Sequence, residues 1–201
     1  MLRTTAGGTP HAMRVLPKDI GVALVVLVAL GLGLLLRLQT EGRSTTFQAA
    51  EAPFSITYPA WWGALEPEEG TLLSVEDPLA ASTFKTTLTV EQRLLDPSDV
   101  PALQTLVDRR VEERATLTGY HFLDRGDATV DGAPAAVIEY AYVVQPIDQP
   151  GRAALPVVVH AREYIVVAGE STYYITLAAP EAEFADASAR FDRMLQTVKV
   201  R

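Results

Sequence analysis

An unbroken apolar run over residues 20–36 contains seventeen residues and no charged or polar side chain. A helix of that length spans roughly 26 Å, and a bilayer core about 30 Å thick is crossed by about 17–25 residues. Leu38 extends the run by two positions. The pattern therefore predicts a transmembrane helix over 20–38, a tail over 1–19 and a linker over 39–53.

The charges beside the run predict its orientation. Arg3, Arg14 and Lys18 precede it, against the single acid Asp19. Basic residues stay on the cytoplasmic side, so we expect a single-pass protein of the cell membrane with a cytoplasmic N-terminus and an extracytoplasmic domain. Two alternatives stay open. A cleaved secretory signal has an apolar region of about 7–15 residues, and the nearest small-residue cleavage site is at 50–52. A buried core helix is the other.

Beyond the linker, apolar and polar positions alternate with the period of β-strands. Asp131-Gly132 and Gly169-Glu170 are tight-turn signals between such segments. A longer loop over 145–153 separates two others. The pattern predicts strands over 54–58, 71–76, 83–94, 120–130, 135–144, 155–168 and 172–177.

Two segments have the period of helices. The first is expected to begin after Ser98 or Asp99 as its cap and to stop at Gly119, and Arg110 and Arg114 interrupt its apolar stripe. The second opens at Pro180 and has a clean apolar stripe. The order is three strands, a helix, four strands and a helix. It predicts an α+β domain over 54–201 with a central antiparallel sheet flanked by helices.

Composition excludes several classes of function. Residues 1–43 carry five Lys and Arg against two acids, a net of +3, and residues 44–201 carry twelve against twenty-three, a net of −11. A domain this acidic repels nucleic acid, so no nucleic-acid partner is expected. The absence of Cys excludes disulfides, thiol catalysis and a lipid-modified cysteine anchor. The chain also has no Asn and therefore no N-glycosylation acceptor.

No residue pattern points to catalysis, a metal or a cofactor. The sequence has no nucleophile elbow and no phosphate-binding loop that follows a strand. The sequence has three histidines, His11, His121 and His160, and their spacing does not match that of metal ligands. We therefore expect no enzyme, metal site or cofactor. Residues 125–127 read Arg-Gly-Asp, a cell-adhesion tripeptide, but they lie inside a predicted strand and such short matches arise by chance.

Two features are candidates for a binding surface. Trp61 and Trp62 are adjacent, and Trp is favoured where proteins bind one another. The alternative is that both cap the core. The loop over 145–153 carries Asp148 and Arg152, and long loops in compact domains often have functions. The alternative for the loop is a plain connection.

Several short motifs, in order, resemble the Mog1/PsbP-like family. Residues 54–61 read F-S-I-T-Y-P-A-W, similar to that family's opening strand. Residues 130–135 read V-D-G-A-P-A and resemble its central hairpin, and residues 173–180 read Y-Y-I-T-L-A-A-P before the closing helix. The resemblance implies a central antiparallel sheet between helices. It implies a mostly non-enzymatic function, and the attached transmembrane segment resembles the many bacterial members of unassigned function.

The sequence therefore predicts a membrane-anchored, extracytoplasmic binding or accessory domain that presents a surface to an unidentified envelope protein. An envelope hydrolase, with a site assembled from dispersed residues, is the alternative. A histidine beside a carboxylate and a hydroxyl in one pocket would favour that alternative. A homodimer, formed through the anchor or an edge strand, is a third hypothesis.

Overall fold

A computed structural model describes residues 21–22, 24–33, 42–145 and 155–200. The chain divides into two compact units, Met1–Gly42 and Arg43–Arg201. In the first unit the described residues 21–22 and 24–33 are helical, and we label them α1. Within the described ranges, no helix combines the length and apolar character needed to cross a membrane. The predicted transmembrane helix over 20–38 lies partly outside those ranges and stays a prediction.

The second unit is built on one antiparallel sheet of seven strands in the order β3-β4-β5-β9-β8-β7-β6. A separate hairpin pairs β1 with β2. The sheet confirms the predicted antiparallel centre. The strands are β1 (Ser44–Gln48), β2 (Ser55–Pro59), β3 (Gly63–Ala64), β4 (Thr71–Glu76), β5 (Thr87–Leu94), β6 (His121–Val130), β7 (Ala133–Val144), β8 (Val157–Ala168) and β9 (Ser171–Pro180).

Two helices cover opposite faces of this sheet, as the predicted fold class requires. Helix α2 (Leu103–Arg114) packs on β7 and β8, and helix α3 (Phe184–Leu195), after a 3₁₀ turn at Glu181–Glu183, packs on β9 and β2. Strand β9 is the fourth of the seven strands, and all ten of its residues are buried. A strand that is buried on both faces is expected to be a continuous apolar run rather than an alternation of apolar and polar residues.

Each helix encloses its own core. The α3-side core includes Ile56, Val90 and Phe191, all fully buried. The α2-side core includes Leu106, Ile138 and Ile165. Neighbouring β8 residues alternate between the two, with Ile165 on the α2 side and Val166 on the α3 side, because successive side chains in a strand point to opposite faces.

The structure corrects the predicted linker. Its middle contains strand β1, which pairs with β2 so that Phe47 lies opposite Ile56. Phe47 is partly buried against the α3-side core. Strand β1 has a single apolar side chain, so its sequence shows almost no alternation of apolar and polar residues. Pairing with β2 is what fixes it as a strand. The two-residue strand β3 was also not predicted.

The start of helix α2 also differs from the prediction. The N-cap is Ala102, which makes no side-chain cap hydrogen bond, and neither Ser98 nor Asp99 caps the helix. Asp96 instead accepts hydrogen bonds from the backbone N–H and the hydroxyl of Ser98. Ser and Asp side chains form such local turns as readily as caps, so the sequence signal marks the turn.

The turn signals are confirmed. Asp131 and Gly132 have φ of 50° and 74° and join β6 to β7, as a two-residue hairpin with positive φ at both positions requires. Gly169 has φ of 59° and joins β8 to β9. The prediction that Gly119 stops the helix is wrong, because α2 ends at Arg114 with Ala115 as its C-cap, and Gly119, with φ of 65°, lies in the turn five residues after the helix.

We predict that Gly119→Ala destabilises the domain by about 2–3 kcal/mol. The left-handed backbone disfavours a side chain, and a Cβ at this position would lie 2.9 Å from Cγ2 of Val143. Urea denaturation followed by tryptophan fluorescence measures the loss. Gly63→Ala is the control, because a Cβ there meets nothing within 4 Å. Equal effects of the two substitutions would contradict the prediction.

Candidate functional site

The two tryptophans lie against the core. Trp62 is 6% exposed and belongs to the α3-side core, and Trp61 is partly buried against the same core. The arrangement corresponds to the alternative in which both cap the core, so Trp62 offers no surface to a partner. The other two candidates, Asp148 and Arg152, lie outside the described residues.

The chemistry of the domain is concentrated beneath helix α2, where a salt bridge is buried. Arg110 is 3% exposed, and its Nε donates to Oε1 of Glu163 on β8 at 2.7 Å. Its other nitrogens donate to Glu91 on β5 at 2.6 Å and to Glu113 at 3.0 Å. The guanidinium also stacks 4.3 Å from the centre of the Tyr174 ring. Every nitrogen of this arginine therefore has a carboxylate partner.

Glu163 is fully buried and is the centre of the cluster. Besides Arg110, it accepts hydrogen bonds from Arg114 at 3.1 and 3.2 Å and from the hydroxyl of Tyr140 at 3.3 Å. Burial alone would raise its pKa, but the charges of Arg110 and Arg114 outweigh burial and lower that pKa. Glu163 is therefore ionised at neutral pH.

Glu113 closes the cluster on its outer side. Arg93 donates to both of its carboxylate oxygens, at 2.7 and 2.9 Å. These hydrogen bonds, together with Arg110, lower the pKa of Glu113 to about 2. Burial alone would lower the pKa of Arg110, but the carboxylates of Glu163 and Glu91 outweigh burial and raise that pKa.

We call Glu91, Arg110, Glu113, Arg114 and Glu163 the ion cluster.

The ion cluster was missed at the sequence level, although a signal exists. Arg110 and Arg114 are four residues apart and share one face of a helix, where the apolar stripe alone marks them only as interruptions. Glu163 occupies an inward position of β8, between the buried Ala161 and Ile165. Two arginines in a helix stripe and one acid at an inward strand position predict a buried pair, since a buried charge needs a partner.

An open cleft of about 490 Å³ adjoins the ion cluster. Helix α2 covers β7 and β8, and the cleft lies over β4, β5 and β9 beside it. The floor is hydroxylic, because Ser74, Thr89 and Thr176 lie opposite one another on adjacent strands. The Thr176 Oγ1 is buried and has no hydrogen-bond partner within the described residues. We call this the α2 cleft.

The α2 cleft is electronegative. Its rim carries Glu66, Glu68 and Glu69 from the segment between β3 and β4, and its wall carries Glu91, Arg110 and Arg114. With Glu163 beneath them, carboxylates outnumber guanidinium groups by five to two. Both arginines are already paired with carboxylates, so neither is available to attract an anion. The cleft therefore favours cationic groups.

Neither of the two histidines that the structure describes, His121 and His160, lies beside both a carboxylate and a hydroxyl. His160 lies on the α3 face, opposite Ala179 of the α3-side core. Its Nε2 is 3.2 Å from Glu139 and its Nδ1 is 3.1 Å from Glu181, and its ring stacks on Phe184. Within the described ranges it has no hydroxyl partner, and no group of three His, Cys, Asp or Glu residues could hold a metal ion. His121 is exposed at the start of β6.

We predict that Glu163→Gln lowers the free energy of unfolding by about 3 kcal/mol at pH 7, because it leaves the charge of Arg110 buried with less compensation. The folded-state pKa of Glu163 lies below its ordinary value of 4.5. Its stabilisation is therefore present above that pH and is lost as the pH falls through the folded-state pKa. The difference between the variant and the unsubstituted chain should shrink in acid.

Urea denaturation at neutral and acidic pH measures that difference. The control is Glu112→Gln, which removes an exposed carboxylate on the same helix. A loss below about 1 kcal/mol, or one independent of pH, would contradict the assigned ionisation of Glu163.

The comparisons with known proteins bear on the fold. No protein-family model matches the chain, and no curated protein has significant sequence similarity to it. The solved structure of cyanobacterial PsbP (CyanoP) from Synechocystis sp. PCC 6803 aligns with a TM-score of 0.59 at 13% identity, covering 79% of this chain and 92% of its own. LpqN of Mycobacterium tuberculosis aligns at 0.52 and 12% identity, covering 78% and 91%. The fold of this domain is Mog1/PsbP-like, as the sequence resemblance implies.

Proposed function

We propose that this protein is a membrane-anchored, extracytoplasmic accessory domain that binds a protein partner through the α2 cleft. The carboxylate surplus of the cleft is the observation that carries this proposal. The partner contributes a segment bearing Lys or Arg. The same fold occurs in LpqN, which is involved in cell envelope biogenesis, so the fold is compatible with a role at the envelope.

The anchor is supported by the apolar run over residues 20–36. The described part of this run is helical, and large apolar side chains along it are exposed, among them Leu24 at 63%, Leu27 at 67% and Leu30 at 65%. Large exposed apolar surfaces are typical of membrane or protein contact. The basic residues before the run support a cytoplasmic N-terminus.

The orientation is tested by labelling intact cells with a membrane-impermeant maleimide. The native chain has no Cys, so single substitutions report without background. We expect labelling of Ser44→Cys, which is exposed in β1, and none of Thr4→Cys until the cells are lysed. Labelling at position 4 but not at 44 in intact cells would reverse the orientation.

The α2 cleft recognises its partner by charge and by hydrogen bonds. The rim acids Glu66, Glu68 and Glu69 are exposed and can pair with Lys or Arg side chains that approach from solvent. Below them, the half-buried Ser74 and Thr89 present hydroxyl groups that can bond to the backbone of an extended segment. The ion cluster holds the wall of the cleft in place, because each of its side chains has at least two charged partners.

Binding is measured with a fluorescein-labelled hexalysine peptide and the full-length chain in a neutral detergent. We expect saturable binding that weakens as salt is added, because exposed charges are screened. The combined variant Glu66→Gln, Glu68→Gln and Glu69→Gln should bind about tenfold more weakly, since three exposed pairs each contribute a fraction of a kcal/mol. Fluorescence anisotropy gives the affinities.

The matched control removes the same three charges elsewhere. Glu51→Gln, Glu112→Gln and Asp186→Asn are all at exposed positions away from the α2 cleft. This variant should keep most of the affinity. If the two triple variants weakened binding equally, the peptide would be responding to net charge alone and the assignment of the cleft would be overturned.

A further inference from the structure

One edge of the sheet is long and open. The strand order ends at β6 (His121–Val130), and no described segment pairs with its outer side. The opposite edge is β3, which has only two residues. A short strand is one of the ways in which proteins protect a sheet edge, whereas a ten-residue edge offers a row of unpaired backbone groups. The β6 edge is therefore the place where a further strand can add to this sheet.

The centre of β6 carries an alternating charge pattern. Arg125, Gly126 and Asp127 occupy consecutive positions opposite Ile138, Val137 and Ala136 of β7. Ile138 and Ala136 belong to the α2-side core, so Arg125 and Asp127 lie on the α2 side of the sheet. Arg125 is 3.5 Å from Asp108, and both of these side chains are more than half exposed. Asp127 makes no ion pair within the described residues.

The glycine between these charges is not required by its own chain. A Cβ at Gly126 would meet only Cγ1 of Val137, at 3.5 Å, which is ordinary contact, and the backbone is not left-handed there. A glycine inside a strand weakens it and often marks a place where another backbone approaches closely. Gly126 therefore points to contact from outside the chain.

We propose that a second copy of this chain pairs with β6 in antiparallel fashion, with the two-fold axis at Gly126. In that register each Arg125 lies opposite the partner's Asp127, and each Asp127 lies opposite the partner's Arg125. Gly126 lies opposite the partner's Gly126 at the axis. The inference is independent of the proposed function, because it uses a different edge of the domain.

The charges select this register over its neighbours. A two-fold antiparallel pair is centred on one residue, which lies opposite its own copy. Centres at Asp124, Arg125 or Asp127 would each place two like charges face to face, which is destabilising. With the axis at Gly126, the bulge between Phe122 and Asp124 limits regular pairing to residues 124–128 of each copy. Arg125 can leave Asp108 and pair with the partner's Asp127 at little cost, because exposed salt bridges are weak.

Charge reversal tests the interface in the full-length chain. Sedimentation equilibrium in a density-matched detergent gives the dimer dissociation constant. Arg125→Asp alone and Asp127→Arg alone should each weaken the dimer by about tenfold, since each creates two like-charge contacts. The double variant Arg125→Asp and Asp127→Arg restores unlike pairs and should recover the original affinity. Arg109→Asp, an exposed position on α2, is the control with the same change in charge and should have little effect.

Three results would overturn the proposal. The first is a monomeric unsubstituted chain at the highest concentration reached. The second is a dimer unaffected by Arg125→Asp, which would mean that it forms elsewhere, as through residues 20–36. The third is a double variant that stays as weak as the single ones.

Disulfide formation tests the register directly. Copies with Arg125→Cys and copies with Asp127→Cys, expressed together, should form a mixed disulfide, because these positions face each other. When only one of the two variants is expressed, the two cysteines of the dimer are offset by two residues along the strands. Their Cα atoms are then about 8 Å apart, which is too far for a disulfide. Equal cross-linking of the copies expressed alone would contradict the register.

Discussion

Burying a charge is costly unless a partner is buried with it, and beneath helix α2 the domain buries Arg110 and Glu163 together. The pair joins helix α2 to strand β8 at 2.7 Å, and the rest of the ion cluster surrounds it. The cost of removing two charges from water makes the pair a weak source of net stability, but a strong constraint on geometry. The position of α2 on the sheet depends on this constraint.

The two faces of the sheet are therefore held by different means. On the α3 side, apolar side chains such as Phe191 and Ile56 fill a dry core. On the α2 side, Leu106 and Val107 are packed, while the ion cluster occupies the border between the covered and open halves of the sheet. A polar border allows the covered core to end without exposing an apolar patch. The α2 cleft begins where the apolar packing stops.

Local chemistry explains what the sequence could predict. Asp131-Gly132 predicts its hairpin because the turn needs positive φ at both positions, and the alternation of β5 separates the buried Leu88 and Val90 from the wet Thr87 and Thr89. The polar face of β5 forms part of the floor of the α2 cleft. The helix stripe located α2 but not its cap, because Ser98 forms a turn with Asp96.

Long-range pairing explains what was missed. Arg110 and Glu163 are 53 residues apart, and strand β1 is ordered by a partner, β2, rather than by its own composition. Trp62 is a contact residue by type, but it is buried in the α3-side core together with residues that are distant in the chain. Residue type alone does not distinguish a buried Trp from an exposed one.

The central claim is that the α2 cleft is where this domain meets its partner. Placing a photo-activatable amino acid at Thr89, on the floor of the cleft, and irradiating living cells tests it most directly. A matched position is Thr45, exposed on β1. The account predicts a discrete cross-linked protein from Thr89 that Thr45 does not give. No adduct from Thr89, or the same adducts from both positions, would contradict it.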